Sequence, residues 1–232
     1  LSLQSLAGRP IALLANFSMH YFSGEQGLSA DYYGLFCEGL KSRLGEADPD
    51  GQRPFVAAMS HGCSGDIWRR DYALPPEDRY EPTIETYATE LLDLTMDAYQ
   101  RIEHQGDVDL AMAEARLPMK YRVPDAQRLE WARRIVAELG DREPTDQVQA
   151  YAREQLILHD QQTTEVVVQA IRIGDMAIAT SPTETYALTG LKIKLQSPLA
   201  KTMVIDLANG ADGYIPPPEQ HQLGGYNTWA SR

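Results

Sequence analysis

Four strand exits carry polar residues whose side chains could bind a metal ion: His20, the Ser60–Asp66 loop, Glu184 and Tyr214. Imidazole, carboxylate and phenolate are all competent ligands for zinc, which takes nitrogen and oxygen donors in a tetrahedral site. His20, Glu184 and Tyr214 each follow an apolar, strand-like run. They come from distant parts of the chain, so no local spacing motif joins them. Each also has a plainer reading. His20 precedes Tyr21 and Phe22 and suits a buried, hydrogen-bonded histidine. Ser181-Pro182-Thr183-Glu184 fits a capping box, with a serine cap, a proline in the first turn and a glutamate three residues on. Tyr214 and Tyr226 suit the packed tyrosines of an ordered surface loop.

A second constellation lies in Ser60-His61-Gly62-Cys63-Ser64-Gly65-Asp66. It departs from the Gly-x-Ser-x-Gly nucleophile elbow, because Asp66 stands where the last glycine belongs. A serine nucleophile needs a base, and only His61 is near Ser64 in sequence. The alternative is a Gly/Ser loop that lets backbone amides approach a ligand. His61 itself reads as a ligand or as a polar loop residue. His104, His159 and His221 sit in polar surroundings and read as solvent-exposed.

Strands must deliver these residues, and the hydrophobic pattern supplies them. Pro10 to Phe17 reads as a buried strand, and Gly8 before it as the turn of a hairpin. Pro54 to Met59 reads as a second strand, Val108 to Pro118 as a third, and Thr202 to Leu207 as the last. Thr164–Ile173 and Met176–Thr180, joined by Gly-Asp, carry a hairpin signal. Helical spacing covers Ser29 to Leu44, with Tyr33, Phe36, Leu40 and Leu44 on one face and Ser29 or Asp31 as cap. It also covers Thr83 to Ile102 (Tyr87, Leu91, Leu94, Ala98), Asp125 to Leu139, Asp146 to His159, and Ser181 to about Leu195. Gly45 to Arg53 is a turn-rich loop. From Leu207 to Trp229 a long loop follows the last strand. Gly210 and Gly213 give it a tight turn, Pro216 to Pro218 hold it extended, and Gly224-Gly225 bend it again. The expected architecture is α/β: one domain over residues 1–232, a mixed β-sheet core layered with helices, and a metal site at the strand exits.

Composition removes several classes. A net charge of −12 argues against nucleic acid, whose phosphates need clustered Lys and Arg. Two cysteines, Cys37 and Cys63, support neither a disulfide scaffold nor a Cys-type zinc site. No apolar run approaches a membrane span, and no signal peptide is visible. The abrupt start and end read as truncations.

In their order along nearly the whole chain, these stretches resemble the neutral/alkaline non-lysosomal ceramidase family, above all its shorter bacterial members. Ala15-Asn-Phe-Ser-Met-His20 resembles the family strand that ends in a zinc-binding histidine. Ser29-Ala-Asp31-Tyr-Tyr-Gly34 resembles its Ser-x-Asp-x-x-Gly segment, and Phe55 to Asp66 its strand and Gly-Asp loop. Thr180-Ser-Pro182-Thr-Glu184 falls where the family has Pro-Gly-Glu with a zinc-binding glutamate. Leu207 to Ile215 resembles the segment with the zinc-binding tyrosine. Glu219 also falls in register. Tyr226 lies twelve residues after Tyr214, as does the family tyrosine thought to steady the reacting carbonyl. Two departures stand out. The family's Val-Ser-Pro-Asn is replaced by Ile67-Trp68-Arg69-Arg70, so Trp68 occupies the place of a serine treated as catalytic. The upstream His-Thr-His-Ser segment, with another zinc histidine, is absent.

The resemblance implies a zinc-dependent amidohydrolase fragment. Zn2+ held by His20, Glu184, Tyr214 and a histidine outside this chain would activate water against the amide of an N-acyl lipid such as ceramide. Tyr226 would hydrogen-bond to the developing oxyanion, and Asp66 would orient a ligand or a loop amide. A small-molecule lipid amide as substrate, peripheral contact with a membrane, and a secreted or periplasmic location come with the same resemblance. A hydrolase of a different amide or ester, suggested by Trp68, and a non-catalytic binding module remain as alternatives.

Overall fold

The computed structural model describes residues 1–22, 27–45 and 53–232. Most of the expected Gly45–Arg53 loop, and part of the polar loop beyond Phe22, lie outside these residues. The chain gathers into two compact units, Leu1–Asp109 and Leu110–Arg232.

In the first unit the expected hairpin is present. Strand β1 (Ser2–Gln4) runs antiparallel to β2 (Pro10–Phe17). Helix α1 (Asp31–Leu44) then crosses over to β3 (Val56–His61), which lies parallel to β2. The strand expected to stop at Met59 therefore continues for two residues, and His61 pairs with Phe17 in its last register position. Helix α2 (Ile84–Tyr99) completes the unit, with the Thr83 hydroxyl accepting from the Thr86 N–H.

The core of this unit follows from helical periodicity. Tyr32, Phe36, Leu40 and Leu44 recur at intervals of four along α1, and the first three are fully buried against Leu13, Met19, Phe22, Phe55, Ala88, Leu91 and Leu92. Two positions differ from expectation. Tyr32 rather than Tyr33 occupies the buried stripe. In α2 the stripe is Ala88, Leu91 and Leu92, while Leu94 is 65% exposed. Both shifts are rotations of about one residue, which a 3.6-residue period permits when large apolar side chains are adjacent.

The second unit is built on a four-stranded sheet. Strand β4 (Leu110–Lys120) leads to α3 (Ala126–Leu139) and α4 (Gln147–Gln161), and then to β5 (Thr163–Ile173) and β6 (Met176–Thr180). Asp125 and Asp146 cap the two helices, their carboxylates accepting backbone N–H groups three residues on. A two-residue strand, β7 (Glu184–Thr185), precedes α5 (Ala187–Gln196), β8 (Lys201–Ile205), a second short strand β9 (Tyr214–Ile215) and a one-turn helix α6 (Pro218–His221). The sheet order is β4-β5-β6-β8, antiparallel except for the β6–β8 pair, and β7 pairs with β9 in parallel. The molecule is thus α/β with mixed sheets, as the sequence pattern predicts. Among the described residues no helix is long and apolar enough to cross a membrane. Cys37 and Cys63 form no disulfide.

The expected helix from Ser181 does not form. Residues 181–184 are extended, and α5 starts at Ala187 behind Tyr186. Their backbone groups bond instead to the long loop: Glu184 N–H to Gly213, Asp212 N–H to Pro182, Ala208 N–H to Ser181 and Leu207 N–H to Thr183. The Ser181 hydroxyl bonds to Thr183 and Thr185 rather than capping a helix. Pro218, expected to prolong an extended run, opens α6.

Candidate metal and hydrolytic site residues

In the first unit, His20 leaves β2 half-buried and is held from both sides. Before it, the Met19 carbonyl accepts the Tyr32 hydroxyl at 2.8 Å and the Tyr33 hydroxyl at 3.0 Å. After it, the Phe22 N–H donates to the Asp31 carboxylate at 3.0 Å. Asp31 opens α1 with a φ of +53°, in the left-handed region that Asp tolerates better than most residues. Its carboxylate also accepts its neighbour's amide, Tyr32 N–H, at 2.7 Å. Neither Ser29 nor Asp31 is the cap: Ala30 holds that position without a side-chain bond. The Ser-x-Asp-x-x-Gly segment acts here as a clamp on the His20 backbone. An Asp31→Ala variant should lose about 2 kcal/mol, because buried amides lose their acceptor and alanine is strained at that φ. Urea denaturation reads this, and a loss below about 0.5 kcal/mol would show that the clamp is idle.

His61 ends β3 beside His20, with ring centroids 5.8 Å apart and planes at 83°. Its pKa is pulled down to about 4, first by burial and next by the His20 ring, with a hydrogen bond to the Met19 backbone acting the other way. A neutral imidazole has one N–H and one lone pair. With the N–H directed at Met19, Nε2 accepts the Ser64 hydroxyl, 2.6 Å away. Ser64 is fully buried. A hydroxyl sealed from solvent is closed to a substrate, so the pair acts as a strut between strand end and loop. Ser64→Ala should cost about 1–3 kcal/mol by leaving Nε2 without its donor, again read by urea denaturation; an unchanged midpoint would refute the strut. Asp66 is exposed at the rim of this loop. Trp68 approaches His20 at 6.2 Å between ring centroids.

In the second unit, Glu184 and Tyr214 face each other in register across the β7–β9 pair. Gly213, with φ +71°, turns the chain into β9, and a Cβ there would press on the Ser231 carbonyl at 3.2 Å. The Tyr214 hydroxyl is hydrogen-bonded to Glu184 and to Tyr226, and burial first, then these partners, push its pKa up. A carboxylate only accepts, so the Tyr214 hydroxyl donates to Glu184. The rings of Tyr214 and Tyr226 meet edge-to-face at 5.5 Å. Tyr226 stands in a short 3-10 turn entered through Gly224 and Gly225, both at positive φ, and is 46% exposed. Tyr151 on α4, which the sequence does not single out, donates to the Tyr226 carbonyl at 3.3 Å. Its pKa is raised by burial and by nearby Tyr226, Glu154 and Glu184. Glu219 pairs with Lys192 on α5.

The structure thus brings together Glu184, Tyr214 and Tyr226 in one unit, and places His20 and Asp66 in the other. Two adjacent oxygen donors, one anionic, match the donor preferences of zinc. Among the described residues no group of three or more His, Cys, Asp or Glu could hold a metal ion. Of the residues that bear on the site, sequence reading misses Tyr32, Tyr33 and Tyr151, because a tyrosine hydroxyl at a helical position carries no signal of its distant partner.

No protein-family model matches the sequence, and no curated protein matches it. Solved structures do. The neutral ceramidase from Pseudomonas aeruginosa is 15% identical, with a TM-score of 0.62 over 98% of this chain and 42% of that one. A ceramidase complexed with C2 is also 15% identical, with a TM-score of 0.65 over 99% of this chain and 44% of that one. The chain has a ceramidase-like fold. It spans less than half the length of these two ceramidase structures. At this identity the likeness is one of fold, and the ceramidase-like fold brings no residue roles with it.

Proposed function

We propose that the chain is part of a zinc-dependent amidohydrolase acting on the amide bond of an N-acyl lipid, as a ceramidase does. The observation that carries this reading is the hydrogen-bonded trio Glu184, Tyr214 and Tyr226 on β7, β9 and the following turn, set in a ceramidase-like fold. Glu184 and Tyr214 would supply oxygen ligands to the metal. When bound, zinc acidifies a water and polarises a carbonyl. With the Tyr214 oxygen taken by the metal, the hydroxyl of Tyr226, the half-exposed end of the trio, would be turned to the amide carbonyl oxygen as negative charge develops there. Asp66, at the rim of its loop, would orient a loop amide. Water adds to the carbonyl carbon, the C–N bond breaks, and the products are a carboxylic acid and an amine. The resemblance to ceramidases also suggests peripheral contact with a membrane and a secreted or periplasmic location.

The test is metal analysis of the full-length protein together with turnover of ceramide and a panel of N-acyl amides. Stoichiometric zinc and ceramide hydrolysis are expected; a metal-free protein with no amide turnover would end the proposal. A second reading, a hydrolase of another amide or ester on the same scaffold, is favoured by Trp68. Its indole stands beside His20 in the sequence position where the family resemblance has a serine. Turnover of another amide without turnover of ceramide selects it.

A further inference from the structure

The second unit contains a cavity of about 620 Å³ lined by Tyr151 and Trp229, with no member of the trio in its walls. Its volume suits a small ligand. Three aromatic side chains, Trp131, Tyr151 and Trp229, and two guanidinium groups, Arg122 and Arg128, line it. On a chain of net charge −12, paired arginines in one cavity run against the overall charge. Both are held in place. The Arg128 guanidinium lies over the Trp131 ring at 3.9 Å. Arg122 donates through Nη2 to the Thr228 carbonyl and keeps its other donors. Trp229 meets Tyr151 edge-to-face at 4.8 Å, which forms an apolar wall. Among the described residues, the only acidic one lining the cavity is Asp125, whose Oδ1 accepts the Arg128 backbone N–H as the α3 cap.

We propose that this cavity binds a small carboxylate with an apolar or aromatic body. A planar guanidinium matches a carboxylate through parallel N–H donors, and aromatic walls take up the body. Tyr151 lines the cavity and donates to the Tyr226 backbone carbonyl, so a ligand seated here is separated from Tyr226 by one side chain. If the hydrolase reading of the trio holds, on which this last step rests, the favoured substrates are amides that carry a carboxylate, such as N-acyl amino acids.

The test uses ligands without an amide, so its outcome is independent of hydrolysis. Hydrocinnamate and the uncharged hydrocinnamyl alcohol are titrated into the whole chain, with calorimetry and tryptophan fluorescence as readouts. The acid is expected to bind at least about 10-fold more tightly than the alcohol, because charge-assisted bonds to arginine are the stronger kind. An Arg122→Gln/Arg128→Gln variant should erase that preference while leaving the alcohol unchanged. Equal affinity for acid and alcohol, no binding of the acid at millimolar concentration, or an acid preference that survives in the folded double variant each overturn the proposal. Should the double variant fail to fold, the acid-to-alcohol ratio on the native protein and its decline with added salt decide alone.

Discussion

Glu184→Gln should reduce amide hydrolysis on the order of 100-fold or more, with zinc content falling in parallel, while the fold stays intact. The substitution removes the negative charge and keeps the shape. Glutamine still offers a carbonyl oxygen to the Tyr214 hydroxyl, so the bond across the β7–β9 pair survives. The backbone is anchored independently, through Glu184 N–H to Gly213 at 2.8 Å. Thermal stability should therefore move by less than about 1 kcal/mol. The measurements are steady-state hydrolysis, metal content and circular dichroism on the same preparation. Undiminished turnover with native circular dichroism would remove Glu184 from the mechanism. Had Glu184 been the last member of a capping box, the same substitution would have weakened a helix terminus and shown itself mainly in stability.

The second large effect concerns the packing that holds His20. Phe36 is fully buried at the centre of the α1 stripe, in the cluster that includes Met19 and Phe22 on either side of His20. Phe36→Ala removes a ring from a close-packed interior and leaves a cavity, for a loss of about 3–5 kcal/mol. That is a large part of the 5–15 kcal/mol that ordinary domains possess. Urea denaturation should show the loss, and hydrogen exchange should show weakened protection in β2, α1 and β3 first. A loss below about 1 kcal/mol would mean that the neighbours collapse into the space. Phe36→Leu should recover more than half of the stability, since it restores most of the apolar volume.

The differences between expectation and structure concern contacts over long sequence distances. Ser181-Pro-Thr-Glu184 satisfies a local rule for a helix start, and nothing within those residues argues against it. What decides is the loop at 207–213, which takes the backbone donors and acceptors of the segment and turns it into strand β7. His61 becomes a strand end rather than a loop residue because β2 extends to Phe17 and offers a parallel partner. The roles of Asp31, Tyr32 and Tyr33 depend on the Met19–Phe22 backbone reaching the start of α1, which no spacing encodes.

What the amino-acid sequence determined by itself was local: strands from apolar runs, helices from 3.6-residue periodicity, and the Gly-Asp hairpin. Those features arise from interactions within a few residues, so a window of sequence contains their cause. Bringing Glu184, Tyr214 and Tyr226 into one hydrogen-bonded trio was decided by tertiary structure alone. Two two-residue strands have too little intrinsic preference to be read in isolation, and they exist because each supplies the other's missing hydrogen bonds.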